Sequence, residues 1–222
     1  MKWLSKLFGS TPSPSQGSSL DSLKFAATWG REVERSERRV MWIDDSGVPL
    51  SVDLLDGSLG LPAPTDEHAV RQFCRRIAEG NGGAIISVDA VSVAEVPATQ
   101  LIYKREKLPA YAYTGMLFLQ LDGFGYVIVI AAEEQGTTGV REAVVTARLF
   151  GEGKLTVETY ESGWFRDPYD PGYEGRILRS LSDDEAYDSS FPDHPLSKIR
   201  RALEDLQSSI RLDLSGLPSS GS

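Results

Sequence analysis

Residues 98–150, ATQLIYKREKLPAYAYTGMLFLQLDGFGYVIVIAAEEQGTTGVREAVVTARLF, decide the fold class. Residues 99–104 favour strand, and residues 112–121 alternate around Tyr113, Gly115, Leu117 and Leu119. A period of two puts those four on one face of a sheet. Asp122-Gly123-Phe124-Gly125 supplies turn chemistry, and the apolar run 126–132 returns as the next strand. A connection this short joins antiparallel neighbours, because a parallel pair needs a crossover of about a dozen residues. Gly136-Thr137-Thr138-Gly139 then opens a helix over 138–150. Thr137 or Thr138 is the expected cap, with Val140, Val144 and Ala147 as the buried face. The block is well patterned as scaffold and carries no catalytic set of residues.

The flanks agree with it. Residues 25–29 and 40–43 read as strands. Asp44-Asp45-Ser46-Gly47 then turns the chain into 48–55, which makes an antiparallel hairpin. Thr65 is placed to cap a helix over 66–79 whose residues Ala69, Val70, Phe73, Cys74, Ile77 and Ala78 share one face, with Gly80 at its C′ position. Residues 84–88 and 91–96 read as short strands, and 154–160 as a strand closing the sheet. From 161 to 195 the texture changes. Nine acids (Glu161, Asp167, Asp170, Glu174, Asp183, Asp184, Glu185, Asp188, Asp193) face three bases (Arg166, Arg176, Arg179), a local charge of −6. Prolines at 168, 171, 192 and 195 keep this stretch mostly irregular. Asp193 or His194 can cap a last helix in which Leu196, Ile199, Leu203, Leu206 and Ile210 form the apolar stripe. The expected fold is α+β: a mainly antiparallel sheet packed with helices, an irregular acidic and aromatic segment, and a C-terminal helix. The expected layout is a flexible segment 1–19, a core domain 20–160, a packed segment 161–214 and a tail 215–222.

A chain of 222 residues is long enough to bury a substantial core. Its net charge of −9 argues against nucleic-acid binding, which needs a basic surface. The single cysteine excludes an internal disulfide and suits a reducing cytoplasm. No apolar run approaches the roughly 20 residues that span a bilayer. His68 and His194 read as surface or capping residues, and Cys74 as a buried, inert thiol. His and Cys at close zinc spacing are absent, and 167–174 does not match a calcium loop. No catalytic residue, metal or cofactor is expected, and no pair of carboxylates stands out among 32 acids.

The order hairpin, helix, antiparallel strands, helix resembles the Mog1/PsbP-like fold. The residues that carry it are 40–55, the helix 66–79, the meander 85–132 and the helix 138–150. The strand YAYTGMLFLQL (111–121) leads into YVIVIAAEEQGTTGVREAV. Members of that fold are mostly non-catalytic: a nuclear-transport GTPase partner, extrinsic photosystem subunits and small bacterial proteins that chaperone secreted effectors. The resemblance implies a binding role and no particular ligand.

Three functional readings follow. The first is a binding, adaptor or chaperone-like protein of a bacterial-type cytoplasm that recognises a protein partner. Aromatics are enriched at interfaces and carboxylates steer basic partners, so Trp164, Phe165, Tyr169 and Tyr173 are the expected contacts. The same four side chains can instead anchor their segment on its own core. The second is a carboxylate-dependent hydrolase, which needs two or more acids of raised pKa in a pocket among 161–195. The third is a peripheral membrane component tethered by residues 1–9, with Trp3, Leu4, Leu7 and Phe8 on one helical face beside Lys2 and Lys6.

Overall fold

A computed structural model describes residues 19–25 and 29–213. The membrane-contact residues Trp3, Leu4, Leu7 and Phe8, the tail 215–222, nearly all of the segment 1–19 and residues 26–28 lie outside the described residues. A short strand β1 (Leu23–Phe25) pairs antiparallel with β9 (Ile210–Leu212), near the other end of the described chain. The remaining long strands are β2 (Arg31–Arg35), β3 (Arg39–Ile43), β4 (Pro49–Asp56), β5 (Gly83–Val93), β6 (Val96–Lys107), β7 (Ala110–Leu121) and β8 (Phe124–Glu133). They form one seven-stranded sheet in the order β2-β3-β4-β8-β7-β6-β5, antiparallel at every step.

Helices cover both faces. Tyr113, Leu117 and Leu119 of β7 pack with Leu196, Ile199, Leu203 and Leu206 of α4 (Pro195–Ser209). Met116 and Phe118, pointing the other way, pack with Val70, Phe73, Cys74 and Ile77 of α1 (Glu67–Gly80). A sheet buried on two sides needs apolar residues at both phases of the alternation, and this is why β7 and β8 read as almost continuous apolar runs. Two further helices, α2 (Val140–Gly151) and α3 (Val157–Trp164), close a small third core of Val145, Leu149, Leu155 and Trp164. Gly115 sits where α4 crosses β7. A Cβ there would stand 2.6 Å from Ile199 Cγ2 and 2.8 Å from Leu203 Cδ1, so the missing side chain is what lets the helix seat.

Several elements depart from the sequence reading. Strand β5 is one long strand, and it ends at a turn whose central residues Ala94 and Glu95 both have positive φ (49° and 66°). Neither is a glycine or asparagine, so the turn carried no sequence signal and 91–96 looked continuous. Asp66, not Thr65, caps α1 by accepting the Ala69 N–H at 3.0 Å. Gly80 is the last helical residue, and Gly82 (φ +68°) takes the left-handed position beyond Asn81. Residues 157–160 belong to a helix, not a strand. Thr156 and Thr159 satisfy each other's backbone N–H in a reciprocal cap, which outweighs the β-propensity of Thr, Val and Tyr. Helix α2 is rotated from the expected face. Arg141, Val145 and Leu149 are buried, while Val140 and Val144 are 44% and 51% exposed. Its N-cap is Gly139 in the left-handed region with no side-chain cap. The expected boundary between 160 and 161 falls inside α3.

Gly115→Ala should lower stability by about 1–3 kcal/mol, the cost of overpacking a closed contact. Gly80→Ala, at a helical site with open space around it, should be neutral or stabilise by up to about 1 kcal/mol. Denaturant midpoints of the two variants measure both.

Candidate partner-binding site

The acidic segment is a strap that passes from the α1 face, round the β5 edge, to the α4 face. Its first anchor is Asp167. Arg75 of α1 grips it through two parallel bonds of 2.7 and 2.8 Å. Burial raises the Asp167 pKa, but Arg75 and the N–H groups of Tyr169 and Asp170 outweigh it and hold the carboxyl below its ordinary value. Tyr173 lies under the same guanidinium, 4.0 Å from it, and donates its hydroxyl to Glu79.

The second anchor is Tyr169. A bulge between Ile85 and Ser87 interrupts the β5 ladder. The Val88 N–H donates to the Tyr169 hydroxyl at 2.6 Å, and that hydroxyl donates back to the Val88 carbonyl at 3.1 Å. One side chain therefore satisfies both backbone groups at a sheet edge, which would otherwise template pairing with another chain.

The third anchor is the deepest. Lys104 of β6 points toward α4 and meets Asp183 at 2.5 Å, with side chains 1% and 0% exposed. The Ser180 N–H (2.8 Å) and hydroxyl (3.1 Å) donate to the same Asp183 oxygen. Burial raises the Asp183 pKa, but the Lys104 charge, its hydrogen bond and Ser180 together hold it below its ordinary value. Beside this pair, the buried Arg141 donates to the carbonyls of Ser182 (2.7 Å) and Asp184 (2.8 Å) and to Ser197 Oγ (2.9 Å). Asp188 neutralises Arg141 at 2.8 Å and Arg200 of α4 at 2.9 Å. Asp167, Asp183 and Asp188 thus meet bases of the surrounding helices and sheet, and part of the segment's negative charge is complementary to its own scaffold.

The four expected contact residues occupy distinct settings. Trp164 is buried at 2% exposure, and Tyr169 and Tyr173 serve as the anchors just described. Phe165 is 40% exposed. It ends an aromatic ladder in which Phe150 stacks on Tyr160 (6.1 Å), Tyr160 on Trp164 (5.8 Å), and Trp164 meets Phe165 edge-on (6.3 Å). Among the described residues, five of the six exposed large apolar side chains lie on α2, α3 or their flank: Val140, Val144, Phe150, Val157 and Phe165; the sixth is Leu108. The sequence held this signal as two neighbouring apolar stripes on α2. Arg141 lies on the stripe that turns inward, because its guanidinium can reach the strap carbonyls, and the purely apolar stripe is left outside.

His68 is exposed in the first turn of α1. His194 caps α4, its Nδ1 accepting the Leu196 N–H at 3.2 Å, and stands edge-on to Tyr113 at 5.1 Å. The Cys74 thiol is buried, and burial pushes its pKa up to about 12. No helix among the described residues is long and apolar enough to cross a membrane. A pocket of about 670 Å³ opens between the Ser46–Pro49 turn, the end of β8, α2 and the start of α4.

No protein-family model matches the chain, and no curated protein matches it. Among solved structures it is similar to the Saccharomyces cerevisiae Ran-binding protein Mog1p, at 12% identity and a TM-score of 0.45, over 86% of this chain and 90% of that one. A Mog1 point mutant is similar at 11% identity and a TM-score of 0.41, over 86% and 90% of the two chains. LpqN of Mycobacterium tuberculosis, described as involved in cell envelope biogenesis, is similar at 15% identity and a TM-score of 0.33, over 66% and 84%. The hairpin, helix, antiparallel strands and helix of the Mog1/PsbP-like resemblance occur in that order in this α+β architecture.

Lys104→Met should cost about 3–5 kcal/mol, because it leaves the Asp183 charge buried and unpaired. Lys104→Met with Asp183→Leu should recover most of that loss. Because the folded pKa of Asp183 is lowered, its contribution is fully present above the ordinary Asp value of about 3.9 and is lost as the pH falls from there through the folded value. Unfolding free energies measured from pH 7 to pH 2 should show that fall in the native chain and a shallower one in the double variant.

Proposed function

We propose that the protein is a non-catalytic binding module whose α2–α3 face docks a protein partner with an apolar centre and a basic surround. The observation that carries the reading is that five of the six exposed large apolar side chains among the described residues lie on α2, α3 or their flank. Soluble monomers rarely gather such groups without a use for them, and rigid aromatics make good anchors at low entropic cost. Phe165 is the contact residue that belongs to this face, and Trp164 supports it from beneath. The net charge of −9, with Glu158 and Glu161 exposed beside the aromatic ladder, favours a basic partner and speeds its approach. The two most buried strap acids do not suit the hydrolase reading. A general acid at neutral pH needs a raised pKa, whereas Asp167 and Asp183 are lowered and held by Arg75 and Lys104.

A photo-crosslinking residue placed at Val144, and at Glu34 on β2 as a control, identifies the partner in the native host. Calorimetry with that partner, purified, should give a Kd weakened at least about tenfold by Val144→Asp and by Phe165→Ala, with association slowed by added salt. Equal crosslinking at both positions, or unchanged affinity in both variants, would overturn the assignment.

A further inference from the structure

Three side chains from separate elements converge at the start of α4. Glu134 follows β8, Glu142 lies in the first turn of α2, and His194 is the α4 cap. One ligand atom from each lies within 4.8 Å of the other two. The side chains of His194 and Glu134 are 8% and 6% exposed. Two polar atoms here are buried with no hydrogen-bond partner: His194 Nε2 and Glu142 Oε2. Nε2 stands 3.4 Å from Glu134 Oε1, an ion-pair distance without hydrogen-bond alignment.

We infer that Glu134, Glu142 and His194 form a binding site for a divalent transition metal of the zinc class. An imidazole must be neutral to ligate a metal, so as ligands the three side chains carry a formal charge of −2, which one divalent ion balances. The buried bases around it are engaged elsewhere: Arg141 by Asp188, Ser197 and two carbonyls, and Lys104 by Asp183. One nitrogen and two carboxylate oxygens suit zinc, whereas magnesium and calcium prefer oxygen ligands alone. Ligands about 2.1 Å from a tetrahedral ion lie about 3.4 Å apart, so small side-chain rotations complete the geometry. The carboxylates are already aimed. The Gly139 N–H donates to Glu134 Oε1 at 3.1 Å, the Tyr111 N–H to Glu134 Oε2 at 3.5 Å, and the Tyr113 hydroxyl to Glu142 Oε1 at 3.5 Å. Such outer partners orient metal ligands. The 670 Å³ pocket is lined by Glu134 and His194 and a second one by Glu142, so open space approaches the site from two sides. While His194 Nδ1 accepts the Leu196 N–H, the ring proton sits on Nε2. Metal binding moves that proton to Nδ1 and exchanges the helix cap for the metal bond.

The test uses the full chain stripped with a chelator and titrated with Zn²⁺ by calorimetry, and with Co²⁺ by visible absorption. One ion should bind per chain, Co²⁺ should give the bands of a low-coordinate nitrogen–oxygen site, and a large excess of Ca²⁺ should not displace it. His194→Asn keeps a good helix cap while removing the ligand, and Glu142→Gln removes a charge without changing shape. Each should weaken Zn²⁺ binding by more than about 100-fold, since loss of outer-shell partners alone costs about 10–100-fold. Glu37→Gln, an exposed acid between β2 and β3, should leave Zn²⁺ binding unchanged. Absence of stoichiometric binding in the native chain, or binding unchanged in both site variants, would overturn the assignment.

Discussion

The buried pair of Lys104 and Asp183 is the constraint on which the rest of the molecule depends. A lysine buried on the α4 side of β6, one strand in from the β5 edge, needs an anion delivered to it. Asp183 is 79 residues further along the chain. The chain must therefore carry it from α3, past the β5 edge, to the α4 side of the sheet. Ser180, Ser182 and Arg141 complete the polar cluster around the pair, and Arg141 in turn sets which side of α2 faces inward. The face that α2 leaves to solvent is set by Arg141, which the carbonyls of Ser182 and Asp184, Ser197 and Asp188 hold on the inner side.

The same logic explains the composition of the strap. Its acids and aromatics read from sequence as material for an interface, and several are spent on attachment. Asp167 answers Arg75, Asp188 answers Arg141 and Arg200, and the Tyr169 hydroxyl closes the backbone at the β5 bulge. Attachment by bidentate and buried polar contacts is specific in a way that apolar packing is not, because each wrong register strands a charge. The strap holds α2 through Arg141, which donates to the carbonyls of Ser182 and Asp184 and pairs with Asp188.

Legibility in the sequence varied with the range of the interaction. The β3–β4 hairpin, α1, β7, β8 and α4 were all visible, because periodicity and turn residues are local signals. The apolar positions of α4, from Leu196 to Leu206, matched the structure residue by residue, and His194, one of the two expected caps, is the cap; Ile210, expected to end the stripe, is buried at the start of the following strand. The β5–β6 turn escaped notice because Ala94 and Glu95 adopt left-handed conformations that their side chains do not advertise. The helix over 157–164 was hidden because its β-branched residues are overruled by a cap that two threonines make together. The inner face of α2 was misplaced because arginine looks like a surface residue until a buried partner is known. The cluster of Glu134, Glu142 and His194 had no spacing motif at all: its members are 8 and 52 residues apart and meet only through packing.

What the sequence determined by itself was the antiparallel α+β scaffold, since hydrophobic period and turn chemistry act between near neighbours. What only the tertiary structure decided was the pairing of charges: which acids are structural, which stripe of α2 is exposed, and which three side chains close on one point. Those outcomes depend on desolvation and on distances across the fold, where a base buried in the sheet chooses its partner from residues far along the chain.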